Sequence, residues 1–269
     1  MEDKSHILLN NLLYSCVDKK QRSNESFVQE HALGYIISGE THLKTNDGIR
    51  VFGVGCIGLV GRNQLLKAEK VPPLGGGEFR AINIYLDQAF LRRYSSDHKL
   101  APANSYTGDK ILILPPDPFM KGYFDSLVPY FEHPALATDA MASLKTKEAV
   151  ELLLRLGADY YDFLFDFSEP YKIDLEAYMN QHFMYNVPTA RFATLTGRSL
   201  ASFKRDFEKV FRASPGQWLQ QKRLAEAYYL IREKGQKPSE VYLNVGFENL
   251  SHFSYTFKKT FGVAPSMLG

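Results

Sequence analysis

The sequence predicts an α+β chain. Its strand-rich first part closes as a small β-barrel or sandwich with flanking helices, and an all-helical second part carries two similar units joined by a long helix. Three observations lead there. Between His31 and Leu86, short runs rich in Ile, Val, Phe and Tyr are interrupted by Gly. After Pro118 the apolar residues recur at helical spacing. Near the C-terminus a ladder of phenylalanines four apart occurs twice, the copies offset by fifty residues.

The bulk properties permit two domains: 269 residues with 45% apolar content can bury a core in each. No apolar run reaches the roughly eighteen residues of a membrane span, and "MEDKSHILLNNLLYSC" lacks the features of a signal peptide, so the expected compartment is the cytoplasm. Cys16 and Cys56 make neither a disulfide framework nor a zinc set. The net charge of +2 conceals a division, with +6 from Tyr171 onward and −4 before it. A basic C-terminal part suits contact with a polyanion, although many solvated helical faces are as basic.

The runs "LGYIISG", "THLKT", "IRVFGVG", "CIGLVG" and "FRAINIYL" read as strands, with Asn46-Asp47-Gly48 as a hairpin turn. Strands this short and closely spaced suggest a sandwich or barrel. Then "FMKGYFDSLVPYF" reads as a helix interrupted near Pro129. "MASLKTKEAVELLLRLGADYYDFLF" reads as one helix with Ala149, Leu152, Leu153, Leu156, Tyr160, Phe163 and Leu164 on one face. That face either packs on its own barrel or forms part of a seam between two copies of the chain. The Pro-containing "DFSEPYKID" marks a boundary, giving domains 1–168 and 169–269.

In the second domain, "LTGRSLASFKRDFEKVFRASP" from Leu195 aligns without gaps on "VGFENLSHFSYTFKKTFGVAP" from Val245. Phe203, Phe207, Phe211 and Pro215 fall on Phe253, Phe257, Phe261 and Pro265, and Lys209 falls on Lys259. Residues four apart stack on one helical face, so each ladder anchors a helix in a core and leaves the other face free. Upstream of each lies a short helical run, "TARFATL" or "PSEVYLNV", then a turn with Gly197 or Gly246 and a cap at Ser199 or Asn249. Short helix, tight turn and anchored helix make a helix-turn-helix. Between the copies, "PGQWLQQKRLAEAYYLIREKG" reads as one helix spanning on the order of 28 Å. Two helices held that far apart suit successive major-groove segments of DNA, which repeat at roughly 34 Å.

These motifs, over residues 172 to 269, resemble the DNA-binding domain of the AraC family of bacterial transcription regulators. The strand-rich part is similar to that family's cupin-like effector or dimerisation domains. The resemblance implies sequence-specific binding to double-stranded promoter DNA, more often for activation than repression, with RNA polymerase as a partner. A homodimer through helices of the first domain is a further expectation. On the first recognition helix, Ala201, Lys204 and Arg205 face away from the phenylalanines and match the family's base-facing positions. Arg and Lys donate to guanine, and Ala meets a thymine methyl. The alternative for Arg205 is a phosphate contact or a surface ion pair. The second helix offers Leu250, Ser251, Ser254 and Tyr255. Many members carry Arg where Tyr255 stands, so this helix is expected to contribute phosphate, methyl or shape readout. Arg198, Ser199, Lys209, Asn249, Lys258 and Lys259 are candidates for the DNA backbone, with plain solvation as the alternative for the lysines.

Several motifs point elsewhere and are set aside. "GVGCIG" (53 to 58) has the spacing of a dinucleotide loop but no helix to follow it, and "GGG" (75 to 77) lacks the residues of a phosphate loop. His31 and His42 lack the partners of a metal centre, and neither cysteine has a recognisable catalytic partner. The sequence therefore calls for no metal, cofactor or catalytic residue. The rival reading fuses a cupin-type enzyme, or a purely protein-interacting module, to the DNA-binding part. Tyr35, His42 and Arg80 are placed toward the barrel interior by alternation alone. The sequence leaves open whether the effector is a small molecule or a protein.

Overall fold

The computed structural model describes residues 6–22, 27–45, 48–101, 103–168 and 172–268. They fall into two compact units, one ending at Ser168 and one containing Lys172 and everything after it. Of the predicted boundary and turn, residues 169–171 and Asn46-Asp47 lie outside the described residues.

The first unit contains twelve described strands: β1 (His6–Leu9), β2 (Leu12–Val17), β3 (Gln21–Arg22), β4 (Phe27–Val28), β5 (His31–Ser38), β6 (Glu40–Thr45), β7 (Gly48–Phe52), β8 (Ile57–Val60), β9 (Gln64–Leu65), β10 (Lys67–Val71), β11 (Phe79–Leu86) and β12 (Ile111–Ile113). They form sheets ordered β1-β2-β11-β5-β8-β12 and β3-β10-β6-β7, with β4 and β9 as a separate pair. All pairings are antiparallel, and β6 and β7 pair from Thr45↔Gly48 to Thr41↔Phe52.

Period-two alternation assigns the two faces of the long sheet. On β11, Phe79 and Ala81 join Val17, Ile36, Leu43, Phe52, Leu66 and Ile111 in a core that draws on both large sheets. Ile82, Ile84 and Leu86 turn instead to the helices. Those helices are α1 (Gln88–Asp97), α2 (Pro118–Asp125), α3 (Val128–Glu132), α4 (Asp139–Leu156) and α5 (Ala158–Phe165). The sheet is thus buried on both faces.

Four sequence expectations are sharpened or changed. The strand region begins before His31: β1 and β2 form a hairpin whose turn residue Asn10 has φ 51°, a left-handed conformation that Asn tolerates. The interruption expected near Pro129 falls just before it, at Ser126 and Leu127, and Pro129 sits in the first turn of α3, where its missing N–H costs nothing. The long helix breaks at Gly157, whose φ 151° and ψ 168° suit glycine almost alone, into α4 and α5. Its apolar stripe packs inward, with Ala149, Leu153, Phe163 and Leu164 buried in the unit's own core.

The fourth concerns the three residues placed toward the barrel interior. Tyr35 stacks on Phe124 of α2 at 4.9 Å, on the helix side. His42 lies on the face of β6 opposite buried Leu43, 2.7 Å from Glu40 and 4.0 Å from Glu69. Arg80 is exposed beside a bulge in β11. "GVGCIG" joins β7 to β8, so a strand follows it where a dinucleotide site needs a helix.

The second unit is helical: α6 (Leu175–His182), α7 (Thr189–Leu195), α8 (Leu200–Phe211), α9 (Pro215–Arg232), α10 (Pro238–Asn244) and α11 (Leu250–Phe261). A capping box between Ser214 and Gln217, with Pro215 at the first helical position, starts α9. Its eighteen residues extend about 27 Å.

Candidate nucleic-acid interface

Each recognition helix is built the same way. Ser199 caps α8 by accepting from Ser202 N at 3.2 Å, and Asn249 caps α11 by accepting from His252 N at 3.0 Å. Each helix ends at a left-handed residue, Arg212 (φ 54°) or Gly262 (φ 79°), whose N–H bonds back to Glu208 O or Lys258 O. Phe203, Phe207, Phe253 and Phe257 are fully buried. Each such ring contributes roughly 1.5–3 kcal/mol by leaving water. The rings within a ladder are 5.4 and 4.4 Å apart in α8 and 5.5 and 4.7 Å apart in α11.

α9 serves both ladders. Trp218 packs on Phe207 and Phe211 at 5.6 and 4.5 Å, and Tyr228 packs on Phe257 and Phe261 at 6.2 and 4.8 Å. Seating both recognition helices on one continuous helix turns the repeat into a single body. Neither ring was singled out in the sequence. The signal available was an aromatic near each end of the intervening helix.

With the phenylalanines inward, the opposite faces are set. Ala201, Lys204 and Arg205 are exposed on α8. Among the described residues, Arg205 has loose internal partners, Ser202 Oγ at 3.3 Å and Asp206 at 3.8 Å. On α11, Ser251 is exposed, Leu250 and Tyr255 are 40% and 69% exposed, and Ser254 is half-buried. Lys209, Lys258 and Lys259 are exposed in the last turns, where cations also complement the helix dipole.

Arg198 is a correction to the sequence reading. Its side chain is only 8% exposed. It bonds Asp206 at 3.2 Å and the carbonyls of Ile173 and Thr196 at 3.0 and 2.7 Å. A guanidinium so engaged is a structural tie rather than a free phosphate donor. Lys172 joins it at 3.1 Å from Asp206, and hydrogen bonds from Lys172 and Arg198 hold that carboxyl below the usual range. The turn before α8 is thereby fastened to the segment leading into α6.

The site reading missed Arg223 altogether. It lies on the stripe of α9 that runs through Leu219, Ala227 and Ile231, all buried, and a charge breaking an apolar stripe was the available signal. Burial lowers its pKa to about 10, which leaves it charged at neutral pH.

Among the described residues, no helix is long and apolar enough to cross a membrane. Comparison with known proteins returns two family models, a helix-turn-helix domain over residues 192–268 and the ExsA N-terminal regulatory domain over residues 31–161. The transcriptional regulator ExsA of Pseudomonas aeruginosa is 26% identical over 149 residues, 55% of this chain and 51% of that protein. The virulence regulon activator VirF of Yersinia enterocolitica is 24% identical over 182 residues, 66% of each chain. The chain therefore spans about half the length of the first of these relatives and just under two thirds of the second. A crystal structure of apo ToxT from Vibrio cholerae aligns with 96% of this chain and 97% of its own at 12% identity and a TM-score of 0.45. With a regulatory-domain match ahead of a helix-turn-helix match, the latter over the phenylalanine repeat, the chain belongs to the AraC family of transcription regulators.

Proposed function

We propose that the protein binds promoter DNA sequence-specifically, with α8 and α11 entering adjacent major-groove segments on one side of the duplex, and that it controls transcription in response to an input received by its first unit. One observation carries the reading. Two helices related by a fifty-residue repeat bury the same phenylalanine positions and turn the same opposite positions, Ala201 with Ser251 and Arg205 with Tyr255, to solvent. Arg205 reads guanine, Ala201 meets a thymine methyl, and Lys204 reaches a base edge or phosphate. Tyr255 and Leu250 give α11 a less polar face suited to methyl and shape readout.

Ser199 and Asn249 cap their helices and bring helix N-termini to the backbone, while Lys209, Lys258 and Lys259 supply the salt-dependent part of affinity. Activation, contact with RNA polymerase and pairing of two copies through the first unit's helices belong to the same reading. So does residence in the cytoplasm. The two-sheet core of the first unit is lined by apolar side chains, with the Phe52 ring close enough to Gly58 that an added methyl would lie 2.6 Å from it. That packing favours a protein effector acting on the surface over a small molecule held inside.

Hydroxyl-radical footprinting on a bound promoter fragment tests the geometry. One chain protects two patches on one face of the duplex, about one helical turn apart. A single patch per chain contradicts it.

A further inference from the structure

The half-buried Arg223 donates to three main-chain carbonyls. Nε donates to Phe183 O at 2.8 Å, Nη2 to Tyr185 O at 2.8 Å and Nη1 to Gly246 O at 3.1 Å. Phe183 and Tyr185 belong to the segment leaving α6, and Gly246 lies in the turn that aims α11. One side chain of the connecting helix thus joins the second helix-turn-helix to α6. At its other end α6 is tied to α8 by Arg198, which reaches both Ile173 O and Asp206.

Two details show close contact at points along the joint. Gly246 has φ 96°, and a Cβ there would lie 2.8 Å from Met184 O and 3.0 Å from Arg223 Nε. Beside it, Asn186 Nδ2 donates to Glu248 Oε1 at 2.6 Å across the same seam. Since α9 already joins the two ladders through Trp218 and Tyr228, a second cross-link removes the freedom a single connecting helix leaves, namely rotation of one recognition helix about the axis of α9.

We infer that Arg223 is a positioning residue: it fixes the placement of α11 relative to α8, and so makes recognition depend on the spacing between the two DNA elements the helices read. This rests on the DNA-binding reading above. A lysine at 223 keeps the charge but offers a single ammonium in place of a planar fork, so it cannot hold three carbonyls in the same geometry.

The test uses the full chain and a duplex site selected from a random pool, with derivatives carrying one or two extra base pairs between the elements. Each added pair shifts an element by about 3.4 Å and about 35°. Anisotropy titrations of wild type, Arg223→Lys and Glu248→Ala are compared at one salt concentration. Wild type loses at least about tenfold in affinity per added pair, whereas Arg223→Lys binds the parent site more weakly and distinguishes the spacings by less than about threefold. Glu248→Ala, at an exposed position, keeps the fold and shows an intermediate response. A general loss of stability weakens all spacings alike, so the ratio between spacings isolates positioning. The same spacing ratio in wild type and a folded Arg223→Lys overturns the inference; if Arg223→Lys does not fold, an unchanged ratio in Glu248→Ala does so. If wild type enriches no sequence from the pool, the DNA-binding reading itself fails and takes this inference with it.

Discussion

Trp218 and Tyr228 stand ten residues apart on α9, and each covers the last two phenylalanines of a different ladder. About 15 Å of helix separates them. Removing either ring should therefore loosen one recognition helix and spare the other. Trp218→Ala lowers hydrogen-exchange protection in α8 and Tyr228→Ala lowers it in α11, each at a cost of about 2–3 kcal/mol for a partly buried aromatic. Equal loss of protection in both helices from either change would contradict the division of α9 into two anchoring ends.

Arg198 and Lys258 separate a structural cation from one proposed to contact DNA. Arg198→Ala leaves Asp206 to Lys172 and strands two carbonyls in a partly buried site, so it should lower stability by about 1–3 kcal/mol in urea unfolding of the second unit's helices. Lys258→Ala should change stability by less than about 0.5 kcal/mol, while reducing the slope of log affinity against log salt by about 1.

Glycine at 157 and at 246 is required for different reasons. At Gly157 no neighbouring atom approaches an added Cβ, so Gly157→Ala costs only the backbone conformation, about 1–3 kcal/mol. At Gly246 the same strain is joined by a collision with Met184 O, so Gly246→Ala should be the more damaging of the two in thermal unfolding.

His31 predicts a pH dependence. It is 1% exposed, and its Nδ1 accepts from Arg62 N at 3.3 Å, which fixes the neutral form with the proton on Nε2. Burial, with Arg62 and Lys110 nearby, lowers its pKa to about 3. The unfolded chain takes up a proton near the ordinary value of about 6.5 and the folded chain does not, so stability falls as pH drops below about 6.5 and continues to fall toward pH 3. Between pH 7 and pH 5 the loss from this residue is about 2 kcal/mol. His31→Gln should flatten that part of the pH–stability curve, and an unchanged slope would remove His31 as its cause.

The second unit was legible because its signals are local. Phe203 and Phe207 at helical spacing, Ser199 as cap and Gly262 as stop all lie within one stretch of chain, and the repeat states them twice. In the first unit, β5 and β11 were legible from their own alternation. β3, β4, β9 and β12 were not, because strands of two or three residues exist only through partners far away in sequence. Which way Tyr35 points depends on where the helices settle, and alternation gives two faces without saying which is inside. Arg223 was missed because its partners are backbone carbonyls, which no side-chain pattern reveals. For Arg198, the sequence could not tell a guanidinium facing solvent from one facing Asp206.

The most direct test of the account is fluorescence anisotropy of the full chain on promoter fragments and on random duplex at several salt concentrations, with Arg205→Ala in parallel. The account predicts one fragment bound far more tightly than random DNA, with the variant losing about 1–3 kcal/mol on that fragment and little on random duplex. Equal binding to every fragment, unchanged by Arg205→Ala and weakened only by salt, would contradict sequence reading by α8.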